Sequence, residues 1–395
     1  MNELKTDIAI VGGGIAGLWM LNSLSQQGYD VILLEADKLG CGQSVRSQGI
    51  IHGGMKYALN GVLSQASDAI KDMPARWRKC LAGEGDIDLS SVTQLSAAHY
   101  LWSQSSLGAK ITSFFAKKTM SGRVDNVAKT DYPAIFDHSA FKGNLYKLNE
   151  IVLDIPTVLK TLAAPYQSRI LKIDTAKCEW QQENQQINAL YDPKQDLRIS
   201  AQRFVFAAGQ GNAAILKALD IEQPQMQLRP LHMLAVTHNT QLPVYAHCIG
   251  ASSKPLVTIT HHNNHDGSYT WYLGGDIAES GVERDTQQQI DTGKALIKDL
   301  LPWVTLENQS WQAIRIDRAE PKQSSLSRPD AAFMHCADNH FVCWPTKLAL
   351  APDLSDKVIA ALKSQNVSSQ FIADKQLLDN LQHSSTSMLA WEAAK

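Results

Sequence analysis

The start of the chain alternates short apolar runs with a stretch of helical spacing. Residues 8–11 form an apolar run that leads into a glycine-rich turn. Leucines then recur at helical spacing over residues 15–27, and residues 31–34 form a second apolar run. This pattern predicts a strand, a turn, a helix and a second strand. Residues 37–57 are rich in glycine and serine, which is typical of a loop.

The hydrophobic pattern of the remaining chain predicts a mixed α/β protein. Between residues 227 and 276, short β-type stretches are separated by turn residues, which indicates an antiparallel sheet. We expect the last residues, 382–395, to be loosely held. The predicted helices cover residues 64–81, 108–117, 156–164, 285–300 and 355–364, and the predicted strands cover residues 92–102, 169–173, 203–208, 231–236, 256–260, 269–273 and 341–344.

The first turn carries the motif Gly12-x-Gly14-x-x-Gly17. The first glycine permits the tight turn, the second lets the backbone approach a pyrophosphate, and the third lets helix and strand pack closely. Glu35 lies 18 residues after Gly17 at the end of the second strand, where a carboxylate can accept hydrogen bonds from ribose hydroxyls. The motif predicts a dinucleotide site, with FAD and NAD both open. The alternative is a glycine-rich turn in an unrelated α/β protein.

The following loop, residues 42–57, contains a dense set of matching positions: Ser44, Arg46, Ser47, His52, Gly53, Gly54 and Tyr57. With these residues it resembles the corresponding loop of the D-amino acid oxidase (DAO) superfamily. Its closest likeness is to the FAD-dependent glycerol-3-phosphate dehydrogenases, in which the loop runs along the pyrophosphate and ribityl chain and reaches the isoalloxazine. The resemblance implies FAD as the cofactor, with Gly49 also in the binding loop.

Two later segments resemble other parts of the same superfamily. Residues 203–209 form an apolar run ending in Ala208-Gly209, similar to the strand that closes over the FAD phosphates. The strand holding Ile170 matches the place where such proteins set a backbone group on the adenine. An ordinary core strand is the alternative for residues 203–209.

The third segment, residues 341–352, resembles the superfamily's final strand and turn, which faces the flavin N1–C2=O edge. There, backbone N–H groups and a cation stabilise negative charge on the reduced ring. The resemblance implies contacts from Thr346, Lys347 and Leu348, and it makes Lys347 the candidate for the positive charge. The usual motif is rich in glycine and this one is not, and a solvated surface lysine is the alternative.

Three side chains are candidates for contact with the substrate. Arg315 falls on the arginine that holds the substrate carboxylate in glycine- and amino-acid-oxidising relatives, and a guanidinium suits that task because it binds carboxylate bidentately. His52 can exchange a proton near neutral pH, or it can bond the cofactor without acid–base work. Tyr272 lies near a predicted strand end, where it walls the pocket or belongs to the core. The alternative for Arg315 is a structural pairing with Asp317 or Glu320.

The resemblance implies an α/β fold in which a mostly antiparallel β substrate domain is inserted into a Rossmann-like FAD-binding domain, as in DAO and p-hydroxybenzoate hydroxylase. The FAD-binding domain is expected to comprise residues 1–85, 145–222 and 313–380. The substrate domain is expected to comprise residues 86–144 and 223–312, with residues 381–395 as a C-terminal tail.

Charge and cysteine usage limit the expected partners and cellular location of the protein. The chain has 37 Lys and Arg against 39 Asp and Glu, a net charge of -2, which gives no electrostatic reason to expect nucleic acid. Six scattered cysteines and a strand that starts by Asp7 favour a cytoplasmic protein without a signal peptide or transmembrane segment. His261, His262 and His265 lack acidic or thiol neighbours at ligand spacing. They are interpreted as a polar hairpin loop, and no metal site is predicted.

The sequence therefore predicts an oxidase or dehydrogenase that moves a hydride from a C–H bond beside an amine or hydroxyl onto flavin N5. A small amino acid or hydroxy acid is the expected substrate, and oxygen or a quinone is the expected electron acceptor. Three rivals stay open: a non-catalytic escort or interaction protein with this fold, a flavoprotein that modifies tRNA, and an NAD-dependent dehydrogenase.

Overall fold

The computed structural model describes residues 2–54, 69–103, 124–250, 254–322 and 331–393. The predicted helix over residues 108–117, the start of the predicted helix over 64–81, and Tyr57 lie outside these ranges. In chain order the strands are β1 (Asn2–Val11), β2 (Val31–Glu35), β3 (Ile50–Ile51), β4 (Gln94–Ser96), β5 (His99–Ser103), β6 (Val124–Asn126), β7 (Leu145–Leu148), β8 (Ile151–Leu153), β9 (Ile170–Lys172), β10 (Glu179–Glu183), β11 (Gln186–Asp192), β12 (Leu197–Phe206), β13 (Met226–His238), β14 (Ala246–Ile249), β15 (Pro255–Asn263), β16 (Tyr269–Gly274), β17 (Ser310–Pro321), β18 (Phe333–Ala337) and β19 (His340–Trp344). The helices are α1 (Ile15–Gln26), α2 (Met73–Leu81), α3 (Ile155–Ala163), α4 (Asn212–Ala218), α5 (Asp276–Glu279), α6 (Thr286–Leu300), α7 (Ala351–Ser364) and α8 (Lys375–Asp379).

The first sheet is mixed, in the order β10-β11-β12-β1-β2-β9, with β19 beside β12 and β18 beside β19. The pairs among β19, β12, β1, β2 and β9 are parallel, whereas β10, β11 and β18 join antiparallel. Its central strand β1 runs parallel to both β12 and β2. A strand covered on both faces is apolar along its length rather than alternating, and residues 6–11 of β1 are all buried. The predicted strand–turn–helix–strand start is confirmed, with β1 extended back to Asn2.

The second sheet is mixed but mainly antiparallel, in the order β17-β13-β16-β15-β14-β5-β7-β6. Its longest pairing joins β13 to β17, from Met226 opposite Pro321 to Thr237 opposite Ser310. The antiparallel sheet predicted for residues 227–276 is confirmed, and strands from earlier and later segments widen it. The segment around Arg315, to which the hydrophobic pattern assigned no element, is part of the long strand β17.

The predicted strand over residues 92–102 is two strands in different sheets. β4 pairs with β8, whereas β5 pairs with β7 and β14. The break falls at residues 97–98, where the Ser96 hydroxyl donates to the Ala98 carbonyl oxygen at 2.6 Å and turns the chain. The sequence pattern does not reveal such a break, because the change of sheet is set by which strands each half pairs with.

A small third sheet, β3-β8-β4, joins the two larger ones. β3 and β8 are antiparallel, with Ile51 opposite Ile151. The next pair in that register is His52 and Glu150, which therefore leave their strands side by side. This register brings together two residues that are 98 positions apart.

Helices cover the first sheet and the second sheet carries its own core. Helices α1, α3 and α7 contribute to one apolar cluster against the first sheet, with Trp19 and Trp77 buried in it. Helix α6 confirms the helix predicted over residues 285–300; it begins at a capping box of Asp285 and Gln288 and packs on the second sheet through Ile290 and Ile297. Within the described ranges, no helix is both long and apolar enough to cross a membrane.

The C-terminal segment is packed, so the expectation of a loosely held end is wrong for residues 382–393. Thr386 bridges to Leu39 beside the first sheet. Further along, Trp391 is 2% exposed and its ring lies 4.6 Å from that of Tyr272. The Trp391 Nε1–H also donates to Asn264 at 3.0 Å. An aromatic anchor explains why this terminus is held, since burying such a ring is worth several kcal/mol.

The structure also corrects the histidine assignment. His261 and His262 lie within β15 and are buried, whereas His265 lies in the turn before β16. The hairpin interpretation is therefore wrong for the first two and confirmed for His265. The two histidines follow a stretch of β15 in which Thr and apolar residues alternate, and their pairing with Trp271 and Thr270 of β16 holds them in the strand despite their polarity.

Candidate active site

The turn between β1 and α1 forms a close-packed backbone cradle. Gly12 has φ +112°, and a Cβ there would lie 2.6 Å from the Ala207 carbonyl carbon. A Cβ on Gly17 would overlap the Gly12 carbonyl oxygen. Gly14 is the N-cap of α1, and the Ile15 N–H donates to the Ser44 hydroxyl at 3.0 Å. Because a helix N-terminus presents unpaired N–H groups and partial positive charge, this cradle favours an anion such as a pyrophosphate.

Glu35 closes the cradle at the end of β2. Its Oε2 accepts the Gly13 N–H at 2.6 Å, and its Oε1 accepts the Asp37 N–H at 3.0 Å. Burial raises the pKa of Glu35 above its ordinary value, and the hydrogen bonds from Asp37 and Gly13 oppose that rise. The carboxylate is thus fixed beside the phosphate-type cradle, in the position where such a group serves a ribose.

The loop after β2 crosses from the first sheet to the second. Gly49 has φ +69°, a left-handed backbone that glycine adopts most easily. The Gln48 side-chain amide donates to the carbonyl oxygens of Thr258 and Tyr272, both at 2.9 Å. The Tyr272 hydroxyl donates to the Arg46 carbonyl oxygen at 2.9 Å. The loop is therefore anchored to the strands that form the substrate domain.

The end of β12 returns beside the cradle. Gly209 follows it with φ +59°, and its carbonyl oxygen accepts the Trp344 indole N–H at 3.0 Å. The buried Asn212 accepts the Ala208 N–H at 2.9 Å and donates to the Phe206 and Cys343 carbonyl oxygens, both at 3.2 Å. Sequence reasoning missed Asn212, which ties the ends of β12 and β19 together.

The turn after β19 has an unusual backbone. Thr346 has φ +61°, where a β-branched residue is rare, and its hydroxyl donates to the Ala331 carbonyl oxygen at 3.0 Å. The Lys347 N–H donates to the Pro345 carbonyl oxygen at 2.7 Å. Thr346 holds a conformation that a glycine-rich turn reaches without strain. Such strain is typical of functional sites.

These segments line one cavity of about 760 Å³. Its wall includes Glu35, His52, Glu150, Arg315 and Lys347, together with the backbone of the cradle. Its volume lies within the range of about 300–1,000 Å³ typical of small-molecule and cofactor sites.

A buried carboxylate with two histidines stands in this wall. Glu150 Oε2 lies 3.2 Å from His52 Nδ1 and 3.7 Å from His247 Nε2, and Oε1 accepts the Gly53 N–H at 3.1 Å. His247 Nδ1 lies 2.7 Å from the Thr258 hydroxyl. Sequence reasoning missed Glu150 and His247. The only sequence signal was an acid placed directly before the buried run of β8.

The ligand atoms of these three side chains all lie within 4.8 Å of one another, close enough to bind a single metal ion. A separation of 3.2 Å is also an ordinary length for a hydrogen bond to a carboxylate. A hydrogen bond therefore accounts for the His52–Glu150 contact, whereas His247 Nε2 lies 3.7 Å from the carboxylate, beyond hydrogen-bond length.

The comparisons with known proteins agree on the family. A family model described as "FAD dependent oxidoreductase" (DAO) matches residues 7–338. The "Probable FAD-dependent oxidoreductase PA4991" of Pseudomonas aeruginosa is 47% identical over 392 residues, which cover 99% of this chain and 98% of that protein. The chain belongs to the DAO family of FAD-dependent oxidoreductases.

Solved structures support the same fold. The crystal structure of the Pseudomonas aeruginosa oxidoreductase matches with a TM-score of 0.86 at 43% identity, covering 100% of this chain and 99% of that one. Glycine oxidase from Geobacillus kaustophilus matches with a TM-score of 0.63 at 13% identity, covering 98% and 100%. The predicted α/β class with an FAD-binding domain is therefore confirmed, and the chain is an oxidoreductase enzyme with FAD as its cofactor.

The residues of this oxidoreductase fit FAD. The Gly12 turn leaves no room for side chains, the Gly13 N–H holds the Glu35 carboxylate beside it, and the same cavity extends to His52 and Lys347. The other predicted cofactor residues that line the cavity are Gly14, Ser44, Arg46, Ser47, Gly49, Ala208, Gly209, Thr346 and Leu348.

Four predicted site residues do not line the cavity: Gly17, Gly53, Ile170 and Tyr272. Gly17 and Gly53 are packed behind the wall, and Ile170 is buried in β9 with its carbonyl oxygen bonded to His383 at 3.1 Å. Residues 173–176 line the cavity near that strand instead. Tyr272 is buried beneath the loop, so its contact with Arg46 makes it a support for the cavity wall.

Arg315 lines the cavity but is also used structurally. Its guanidinium donates to the carbonyl oxygens of Val282 at 2.8 Å and Arg284 at 2.7 Å. The alternative pairing with Glu320 is taken by Arg229, 2.7 Å away. Arg318, to which sequence reasoning gave no role, lines the cavity as well.

Proposed function

We propose that this enzyme oxidises a small carboxylate-bearing substrate, an amino acid or a hydroxy acid, at the C–H bond beside its amine or hydroxyl. Bound FAD supplies the hydride acceptor, its N5 atom. The observation that carries the proposal is the composition of one cavity wall, where a dinucleotide cradle is continuous with His52, Arg315 and Lys347.

Arg315 is proposed to hold the substrate carboxylate. A guanidinium has five N–H donors in a planar fork, and two of its nitrogens already donate to the 282–284 segment. Those bonds fix the plane of the group before substrate arrives, so less side-chain freedom is lost on binding. Arg318, on the same strand, supplies a second positive charge in the same wall.

His52 and Lys347 are proposed to manage charge during the reaction. His52 is in the cavity wall and 29% exposed, so its ring can take the proton of the substrate amine or hydroxyl. Lys347 follows the Thr346 turn, and its cation would offset negative charge that develops nearby. The division into an FAD-binding domain and a substrate domain is proposed with two changes. Because β7 and β17 belong to the second sheet, the boundaries fall after Leu148 rather than at residue 145, and after Pro321 rather than at residue 313.

The test is an anaerobic titration of the purified holoenzyme. The visible flavin band is recorded while D- and L-amino acids, N-methyl amino acids, 2-hydroxy acids and glycerol 3-phosphate are added in turn. Bleaching by an amino acid or hydroxy acid supports the proposal. Bleaching by glycerol 3-phosphate alone, or by none of these compounds, overturns it.

Readmitting air to the bleached enzyme then separates the two proposed electron acceptors. Rapid and complete return of the band on mixing with air identifies oxygen as the acceptor. A band that returns only after a quinone is added identifies a dehydrogenase.

A further inference from the structure

The His52–Glu150 pair is set by backbone register rather than by flexible side chains. The two residues follow the antiparallel pair Ile51–Ile151 of the third sheet. His247 reaches the same carboxylate from β14, where it pairs directly with Thr258 of β15. Three strands of two sheets therefore converge on one carboxylate whose side chain is 3% exposed.

Donors surround this carboxylate. One oxygen takes the Gly53 N–H, and the other faces His52 Nδ1 and His247 Nε2. Burial raises the pKa of Glu150, but the two histidines outweigh burial and hold the pKa well below its ordinary value. With the Gly53 N–H on one oxygen and two imidazoles facing the other, Glu150 is placed as an ionised group that only accepts hydrogen bonds.

An ionised acceptor decides which nitrogen of His52 carries the proton. The nitrogen that faces a carboxylate oxygen at 3.2 Å must donate, so Nδ1 is protonated in neutral His52. The lone pair is then on Nε2, the other ring nitrogen of a side chain that lines the cavity. His247 Nε2 faces the same carboxylate at 3.7 Å, and its Nδ1 lies 2.7 Å from the Thr258 hydroxyl, which can donate to it.

We propose that Glu150 is a positioning residue that locks His52 in the Nδ1–H tautomer, so that Nε2 is the base that takes the proton of the substrate amine or hydroxyl. The inference rests on the proposed function, in which His52 accepts that proton. When the substrate N–H or O–H bond breaks, the proton goes to Nε2 and the electron pair stays on the substrate heteroatom. The imidazolium so formed is stabilised by the Glu150 charge behind it.

Replacing Glu150 by glutamine tests the tautomer directly. Glutamine has one acceptor oxygen where glutamate has two, and the Gly53 N–H needs it. The NH2 group would then face His52 and donate to Nδ1, moving the ring proton to Nε2. The corresponding carboxylate-to-amide change in a Ser-His-Asp triad lowers kcat about 10⁴-fold by producing the wrong tautomer.

The first readout needs no substrate. Holoenzyme labelled with ¹⁵N-histidine is measured by NMR at about pH 8, where a typical histidine is neutral. The His52 signals among the 12 histidines are assigned with His52→Asn. We expect Nδ1–H in the wild type and in Glu150→Asp, which keeps the carboxylate, and Nε2–H in Glu150→Gln.

The second readout is the rate of flavin reduction by whichever compound of the panel bleaches the enzyme. Glu150→Gln is expected to slow it by about 10³-fold or more, and Glu150→Asp by much less. Glu392→Gln is the matched control, because Glu392 also accepts from a histidine, His265 at 2.9 Å, but lies outside the cavity wall. The control is expected to reduce at the wild-type rate.

The two proposals fail separately. If no compound bleaches the flavin, the proposed function fails while NMR still reports the tautomer. Nε2–H in the wild type, or the same His52 tautomer in wild type and Glu150→Gln, overturns the role of Glu150. Stoichiometric metal in the purified holoenzyme, with reduction abolished by a chelator, also overturns it.

Discussion

The hydroxyl of Tyr272 donates to the carbonyl oxygen of Arg46 at 2.9 Å, which links the second sheet to the loop beside the cofactor cradle. Tyr272 is fully buried, and Trp391 of the C-terminal segment packs on its ring. The loop that we assign to FAD is thus supported from behind by two aromatic residues far from it in sequence.

Removing that hydroxyl should loosen the loop. Tyr272→Phe leaves the Arg46 carbonyl oxygen without its donor, which costs about 1–1.5 kcal/mol. We expect weaker FAD retention, measured as the flavin-to-protein ratio after dilution and gel filtration. Tyr191→Phe is the control, because that hydroxyl bonds Asp196 at 3.0 Å away from the cavity. Equal FAD loss in both variants would contradict the supporting role of Tyr272.

Gly17 should be intolerant of any side chain. A Cβ would overlap the Gly12 carbonyl oxygen, so Gly17→Ala must push α1 away from β1 and distort the cradle. We expect purification without bound flavin and a lower Tm. Gly28→Ala, at the other end of α1, has open space and meets only the strain of φ +89°, about 1 kcal/mol. It should lose some stability but keep its flavin, and a yellow Gly17→Ala protein would rule out this account of the turn.

Replacing Arg315 should slow the oxidation of carboxylate-bearing substrates. A charged bidentate contact is worth about 1.5–3 kcal/mol, so Arg315→Ala should lower kcat/KM for the acid substrate about 10–100-fold. Arg198→Ala removes a guanidinium paired with Glu3 at 2.8 Å outside the cavity and should leave kcat/KM unchanged. Steady-state kinetics of the two variants decide the point. An unchanged kcat/KM in Arg315→Ala would transfer the carboxylate role to Arg318.

Buried histidines should make the fold sensitive to acid. Burial lowers the pKa of His262 to about 3, while an unfolded histidine titrates near 6.5. Below about pH 6.5 the unfolded chain therefore binds more protons than the folded one. The free energy of unfolding decreases as the pH is lowered, until the folded pKa is reached. Each such histidine contributes a slope of about 1.4 kcal/mol per pH unit between these limits.

Urea unfolding between pH 7 and pH 4 measures this slope. His262→Gln keeps a donor toward the Thr260 hydroxyl, 3.0 Å from His262 Nε2, but cannot be charged, so its slope should be smaller than that of the wild type. His265→Gln removes an exposed histidine whose pKa is raised by Glu392. His265 is protonated in both the folded and the unfolded state well below about pH 6.5, so the slope of this variant there should match that of the wild type. Identical slopes in all three proteins would exclude His262 as the source.

The cradle could be predicted from sequence because its chemistry is local. Gly12, Gly14 and Glu35 follow one another within a single βαβ unit, and their spacing is dictated by backbone geometry. Glu150 could not be predicted, because its meeting with His52 depends on strand register across 98 residues. Tyr272 lay in a strand that was identified correctly, but a strand pattern does not say which of its residues reaches the cavity.

The most direct measurement compares an acid with the same molecule lacking its carboxylate. The yellow holoenzyme is mixed anaerobically with glycine or sarcosine, and separately with methylamine or dimethylamine, while the flavin band is followed by stopped flow. The 2-hydroxy acids are compared with the matching alcohols. We predict bleaching by an acid and at least about a tenfold slower reaction with its counterpart, since the contact with Arg315 is lost. A colourless protein that takes up no FAD, or equal bleaching by an acid and its counterpart, would contradict the account.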